Sequence, residues 1–156
     1  MSTPFEPDFD LHRTLLQLLD QPPGLAHLEH ATEYAINKLL TTPARRLNPA
    51  DLHFLLQHGV ALPYTVPLAI AKLEDDPFLQ AERYPGDLLI LVLETDATFW
   101  QDRVDLWCAM IPVLETAVTR INTHAAAEDR EDYLPDFLGD DFMAALMHFR
   151  SIHAGE

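Results

Sequence analysis

The sequence predicts an all-α fold, a compact single-domain bundle of about seven short helices over residues 1–156. Three observations carry that reading. Apolar residues recur at three- and four-residue steps through most of the chain, the period of a helix with one buried face. Twelve prolines stand against five glycines; proline opens helices but rarely continues them, so the ratio describes many short helices with stiff joints. Only one run, "DLLILVL" at 87–93, has the Val and Ile content of a strand. With no second such run to pair with, a strand there would leave its backbone groups unsatisfied.

The elements follow in order. "LHRTLLQLLD" is the first helix, with Asp8 or Asp10 as its cap, Leu11, Leu15, Leu18 and Leu19 on one face, and "QPPG" as its stop. "LAHLEHATEYAINKLL" places Leu25, Leu28, Ala31, Ala35 and Leu39 at helical spacing. In "TTPARRLNPADLHFLLQHG", Asn48 is a strong N-cap, Pro49 the first helical residue and Asp51 an acid in the positive first turn. Gly59 marks the end of that helix, where a left-handed residue is wanted. "LPYTVPLAIAKLEDD" is the next helix, with Pro67 near its start and Leu68, Ala71 and Leu73 inside.

"DPFLQAERYPGD" reads as a short helical turn and a break. Pro85 and Gly86 open the following helix and Asp87 is its first-turn acid, while Leu88, Leu89, Leu91 and Leu93 describe burial nearly all round. "DATFWQDRVDLWCAMIPVLETAVTRINTHAAA" is one long helix starting at Asp96 or Thr98, with Phe99, Val104, Trp107, Ile111, Leu114 and Val118 as its apolar stripe. Pro112 is expected to bend or split it. An acidic loop at 128–141 and a closing helix, "FMAALMHFRSIHAGE", complete the chain.

Charge restricts the partners. Twenty-five acids against ten bases leave a formal net charge of −15. Nucleic acids and anionic membranes are bound through Lys and Arg, so the balance argues against direct contact with either. The magnitude exceeds the roughly 2 to 8 charges that solubility asks of a small domain, which points to a basic partner. Cys108 is the single cysteine, so neither a disulfide framework nor zinc-finger spacing exists, and its apolar neighbours predict a buried thiol. The N-terminus lacks the basic-then-apolar pattern of a secretory leader, and no segment reaches the ~18–20 apolar residues of a membrane span. A reducing cytoplasm is the expected compartment.

Catalytic chemistry finds little support. "HLEH" sets His27 and His30 three apart with Glu33 three further on, a candidate ligand set for a metal hydrolase. Four-residue spacing is usual for zinc on a helix, and His53 and His58, five apart, lie on different faces. The histidines therefore read as surface groups, and no metal or cofactor is expected. The serines Ser2 and Ser151 lie near the ends of the sequence, and no glycine-rich phosphate loop is present. Asp75–Asp76 and Asp140–Asp141 are adjacent pairs that do not face each other, and they flank Pro77 and Gly139, where helix ends are expected.

The segment 128–141 is the strongest candidate for binding. It carries Glu128, Asp129, Glu131, Asp132, Asp136, Asp140 and Asp141 against Arg130 alone, with Tyr133 and Phe137 interleaved. Acids steer a basic partner at long range and aromatics anchor it on contact. A plain solvated charge run is the competing reading.

The stretch 47–100 resembles the immunity proteins of bacterial contact-dependent growth inhibition systems. The resemblance rests on a Leu-x-x-Leu helix ending at Gly59, Pro67-Leu68-Ala69, Asp76-Pro77, the turn Tyr84-Pro85-Gly86-Asp87-Leu88-Leu89, and Phe99-Trp100. It implies a cytoplasmic protein that binds and neutralises the C-terminal toxin domain of a cognate effector, often a nuclease with a basic cleft. The shared positions suit helix starts, ends and core, so they read as scaffold and the acidic segment as contact surface. An acidic helical adaptor for another cellular protein and a metal hydrolase using His27, His30 and Glu33 are the alternatives.

Overall fold

The computed structural model describes residues 5–83, 85–127 and 139–152, with the backbone alone at 121–122, 124–127 and 139–141. Among these residues there are eight α-helices and no strand: α1 (Leu15–Leu18), α2 (His30–Leu40), α3 (Pro49–Gln57), α4 (Leu62–Asp75), α5 (Asp87–Leu93), α6 (Ala97–Asp102), α7 (Val104–Ala127) and α8 (Gly139–Ser151). A 3-10 turn, Ala44–Arg46, joins α2 to α3. The all-α expectation holds.

The first helix is a single turn. Thr14, not Asp8 or Asp10, caps it, in a capping box with Gln17. Asp10 instead accepts the backbone N–H of His12 at 2.9 Å, a local turn that competes with helix. The carbonyls of Leu11 and Arg13 accept from Arg45 and Ala44, so this stretch lies against the 3-10 turn. The second helix starts later than its apolar spacing predicts and buries a different face, through Ile36 and Leu40. Ala31 is exposed, and Leu25 reaches the core from the preceding loop.

The α3 signals are realised as written. Asn48 accepts from Asp51 N–H at 2.8 Å, and the Asp51 carboxylate accepts Asn48 N–H at 3.0 Å. Gly59 sits at φ 66°, and two residues on Ala61 takes φ 55° as the N-cap of α4, which makes a tight α3–α4 corner. Inside it the buried Thr65 hydroxyl lies within hydrogen-bond reach of the Val60 and Ala61 carbonyls, at 3.2 and 3.1 Å.

This hairpin is the centre of the molecule, because its two sides serve two apolar clusters. Leu52, Leu55 and Leu68 pack with Leu15, Ile36, Leu40 and Leu47. Leu56, Val66, Ala69, Ile70 and Leu73 pack with α5, Trp100 and the inner faces of α7 and α8. Each Val, Leu or Ile side chain among them, when fully buried, contributes roughly 1.5–3 kcal/mol of transfer free energy. Pro67 and Pro77 are both buried.

The long C-terminal helix departs from expectation. It breaks at Arg103, between α6 and α7, and runs unbroken through Pro112. Its buried line is Leu106, Met110, Val113, Leu114 and Ala117, and of the expected stripe Trp107, Ile111 and Val118 are only half-buried. Cys108 therefore falls on the outer side and is exposed, contrary to the buried thiol its neighbours suggested. No helix of the described residues is long and apolar enough to cross a membrane.

Candidate functional site

The motif residues converge on one buried polar group, Asp87. Gly86, at φ 90°, turns the chain into α5, a backbone angle that a side chain would strain, and its N–H donates to the Leu79 carbonyl. Pro85 pairs back on Gln80. The turn folds 81–83 over the start of α5. The backbone N–H groups of Ala81, Glu82 and Arg83 then donate to the Asp87 carboxylate at 2.8, 2.9 and 2.8 Å.

The Asp87 side chain is 2% exposed. Burial alone would raise its pKa, but the three N–H donors and the nearby His53 outweigh that effect and hold it below the ordinary carboxylate value. Asp87 does more than start a helix. It ties the preceding loop to the helix it opens.

His53 was not foreseen in this role. From α3 its ring sits between two carboxylates, Nδ1 3.3 Å from Glu82 Oε2 and Nε2 3.8 Å from Asp87 Oδ2. The side chain is 10% exposed, so the histidines are not all surface groups. A signal existed: Leu52, Leu55 and Leu56 place position 53 inside the buried arc of α3. The polar partner thirty-four positions away carries no such signal.

Trp100, fully buried, anchors the other end of the motif. Its ring meets Phe149 of α8 edge-on at 5.0 Å and Phe99 at 5.4 Å. Phe149 also stacks on Trp107, whose indole N–H donates to the Phe149 carbonyl at 3.1 Å. Gly59, Pro67, Pro77, Pro85, Gly86, Asp87 and Trp100 thus lie at corners and in the core. Tyr84 lies outside the described residues.

Of the acidic segment, Glu128, Asp129, Glu131, Asp132, Tyr133, Asp136 and Phe137 lie outside the described residues. Asp140 and Asp141 belong by backbone to the first turn of α8 rather than to a loop. Elsewhere, arginine–carboxylate pairs among the described residues are Arg13–Asp10, Arg103–Asp105 and Arg120–Asp76. Most acids among the described residues are therefore not paired with an arginine.

The metal-ligand candidate is dismantled by the helix start. Because α2 begins at His30, His27 lies in the turn before it and does not share a helical face with His30 and Glu33. Among the described residues no group of three or more His, Cys, Asp or Glu is placed to hold a metal ion.

A family model described as CDI immunity proteins matches residues 21–108. Comparison with curated proteins and with solved structures returned no match. The matched span takes in α2 to α6, the Asp87 cluster and Trp100.

Proposed function

This chain belongs to the CDI immunity proteins, and we propose that it is a non-enzymatic, cytoplasmic inhibitor that binds the C-terminal toxin domain of its cognate contact-dependent growth inhibition effector. The family match carries the reading. The toxin is proposed to be a nuclease, because a nuclease presents a basic cleft to its substrate and a protein of net charge −15 complements it. Such complementarity speeds association through long-range attraction and opposes binding of like-charged proteins.

The proposed contact surface is the acidic segment with Glu128, Asp129, Glu131, Asp132, Asp136, Asp140 and Asp141, and with Tyr133 and Phe137 as apolar anchors. These side chains would cover the toxin's active site or an adjoining exosite. The support is chemical: seven acids and two aromatics in fourteen positions, beside a motif whose own residues are spent on packing.

The test begins with the open reading frame directly upstream. Its C-terminal domain should co-purify with this protein and lose its toxicity in its presence. Reversing Asp132, Asp136 and Asp140 to lysine together should slow association and flatten its dependence on salt. Unchanged binding and salt dependence would remove the acidic segment from the interface.

A further inference from the structure

A cavity of about 240 Å³ opens between the N-terminal segment 5–9, the start of α4 and the α6–α7 junction. It is smaller than the ~300–1,000 Å³ typical of small-molecule sites, so its size suits one side chain rather than a cofactor. Phe5 and Phe9 form one side of it and Tyr64 another. The segment is held at both ends. Phe5 N–H donates to Glu74 at 2.7 Å, and the Phe9 ring meets Tyr64 edge-on at 5.1 Å. Tyr64 is in turn fixed by its hydroxyl, which donates to the Leu18 carbonyl at 2.9 Å.

The charges at the rim are unevenly matched. Arg103 points Nε and Nη2 at the two oxygens of Asp105, at 3.1 and 3.0 Å, so this pair is internally neutralised. Glu6 and Asp8 line the same cavity and are exposed; the Asp8 charge also acts on Arg103, so three carboxylates, those of Glu6, Asp8 and Asp105, outnumber one guanidinium. The site thus combines aromatic faces with a local excess of two carboxylates. An apolar group would cover those carboxylates without compensating them, and an anion would be repelled. A cation gains from both the carboxylates and the rings.

We propose that this cavity receives an arginine or lysine side chain of the toxin domain, as a contact separate from the acidic segment. This rests on the toxin-binding reading above. The pocket is pre-formed by the Phe5–Glu74 and Phe9–Tyr64 contacts, so little ordering is needed on binding.

Two measurements test it on the full chain. The first is an NMR titration with Nα-acetyl-arginine amide and, in parallel, its uncharged citrulline counterpart. Saturable shifts at Phe5, Phe9 and Tyr64 with the arginine probe alone, absent from the Glu6→Gln/Asp8→Asn double variant, are expected. No saturable shift, or equal shifts with citrulline, overturns the site whatever the toxin does.

The second measurement is affinity for the upstream-encoded toxin domain. The double variant, with an unchanged thermal midpoint, should bind about tenfold more weakly, from the loss of two partly exposed ion pairs. Equal affinities overturn the site and leave the immunity reading standing. A toxin domain that fails to bind wild type overturns both.

Discussion

Replacing Asp87 by asparagine removes a charge but almost no volume, so it isolates what the carboxylate does. Three backbone N–H groups converge on it, one on Oδ1 and two on Oδ2. An asparagine can turn its single oxygen toward Glu82 and Arg83, but its NH2 then faces the Ala81 N–H, donor against donor. That N–H is left unsatisfied at a cost of about 1–3 kcal/mol. The two surviving bonds fall from charge-assisted to neutral strength, a loss of about 1 kcal/mol each. The variant should therefore be less stable by about 3–5 kcal/mol at pH 7, against a total of about 5–15 for an ordinary domain.

The pH dependence has a definite sign. The Asp87 pKa is lowered in the folded protein. Its contribution is therefore complete above the unfolded carboxylate value, about 3.9, and is lost as pH falls through the lower folded value. Asparagine cannot titrate, so the stability gap between wild type and variant should be widest at neutral pH and narrow below about pH 4. Urea denaturation at a series of pH values measures it, read from midpoints at constant slope. A gap under about 1 kcal/mol at pH 7, or one that stays constant into acid, would refute the role of the Asp87 carboxylate in tying residues 81–83 to α5.

Two further substitutions test the scaffold role of the matched motif. Trp100→Ala empties a fully buried site among Phe99 and Phe149 and should cost about 3–5 kcal/mol in denaturant titration; a loss under 1 kcal/mol would contradict its core placement. Gly59→Ala meets no atom within 4 Å, so its cost is conformational only, about 1 kcal/mol from the φ of 66°. A neutral Gly59→Ala would show that the corner relaxes out of the left-handed region. Neither change should alter toxin affinity of the folded fraction, because both lie in corners and core.

Signals that act over a few residues were legible in the sequence. The α3 cap at Asn48 and Asp51, the stop at Gly59, the Pro-Gly-Asp start of α5 and its all-round burial each depend on neighbouring residues and appear in the structure as read. The same locality explains the errors. Thr14 and Gln17 form a capping box inside a run that looks helical throughout, and α1 shrinks to one turn. The start of α2 at His30 removes the face that His27, His30 and Glu33 were to share. The break at Arg103 rotates the apolar line of α7, so Cys108 faces out.

By itself, then, the sequence determined the all-α class, the family and the acidic character, because composition, caps and period-four apolar patterning are properties of the chain alone. Only the tertiary structure decided that His53, thirty-four positions before Asp87, shares its burial, and that Glu6 and Asp8 line one cavity with Tyr64 and Arg103. Those placements depend on how the α3–α4 hairpin divides two cores and on where α7 restarts after Arg103. Packing sets both, and packing couples residues that no local pattern relates.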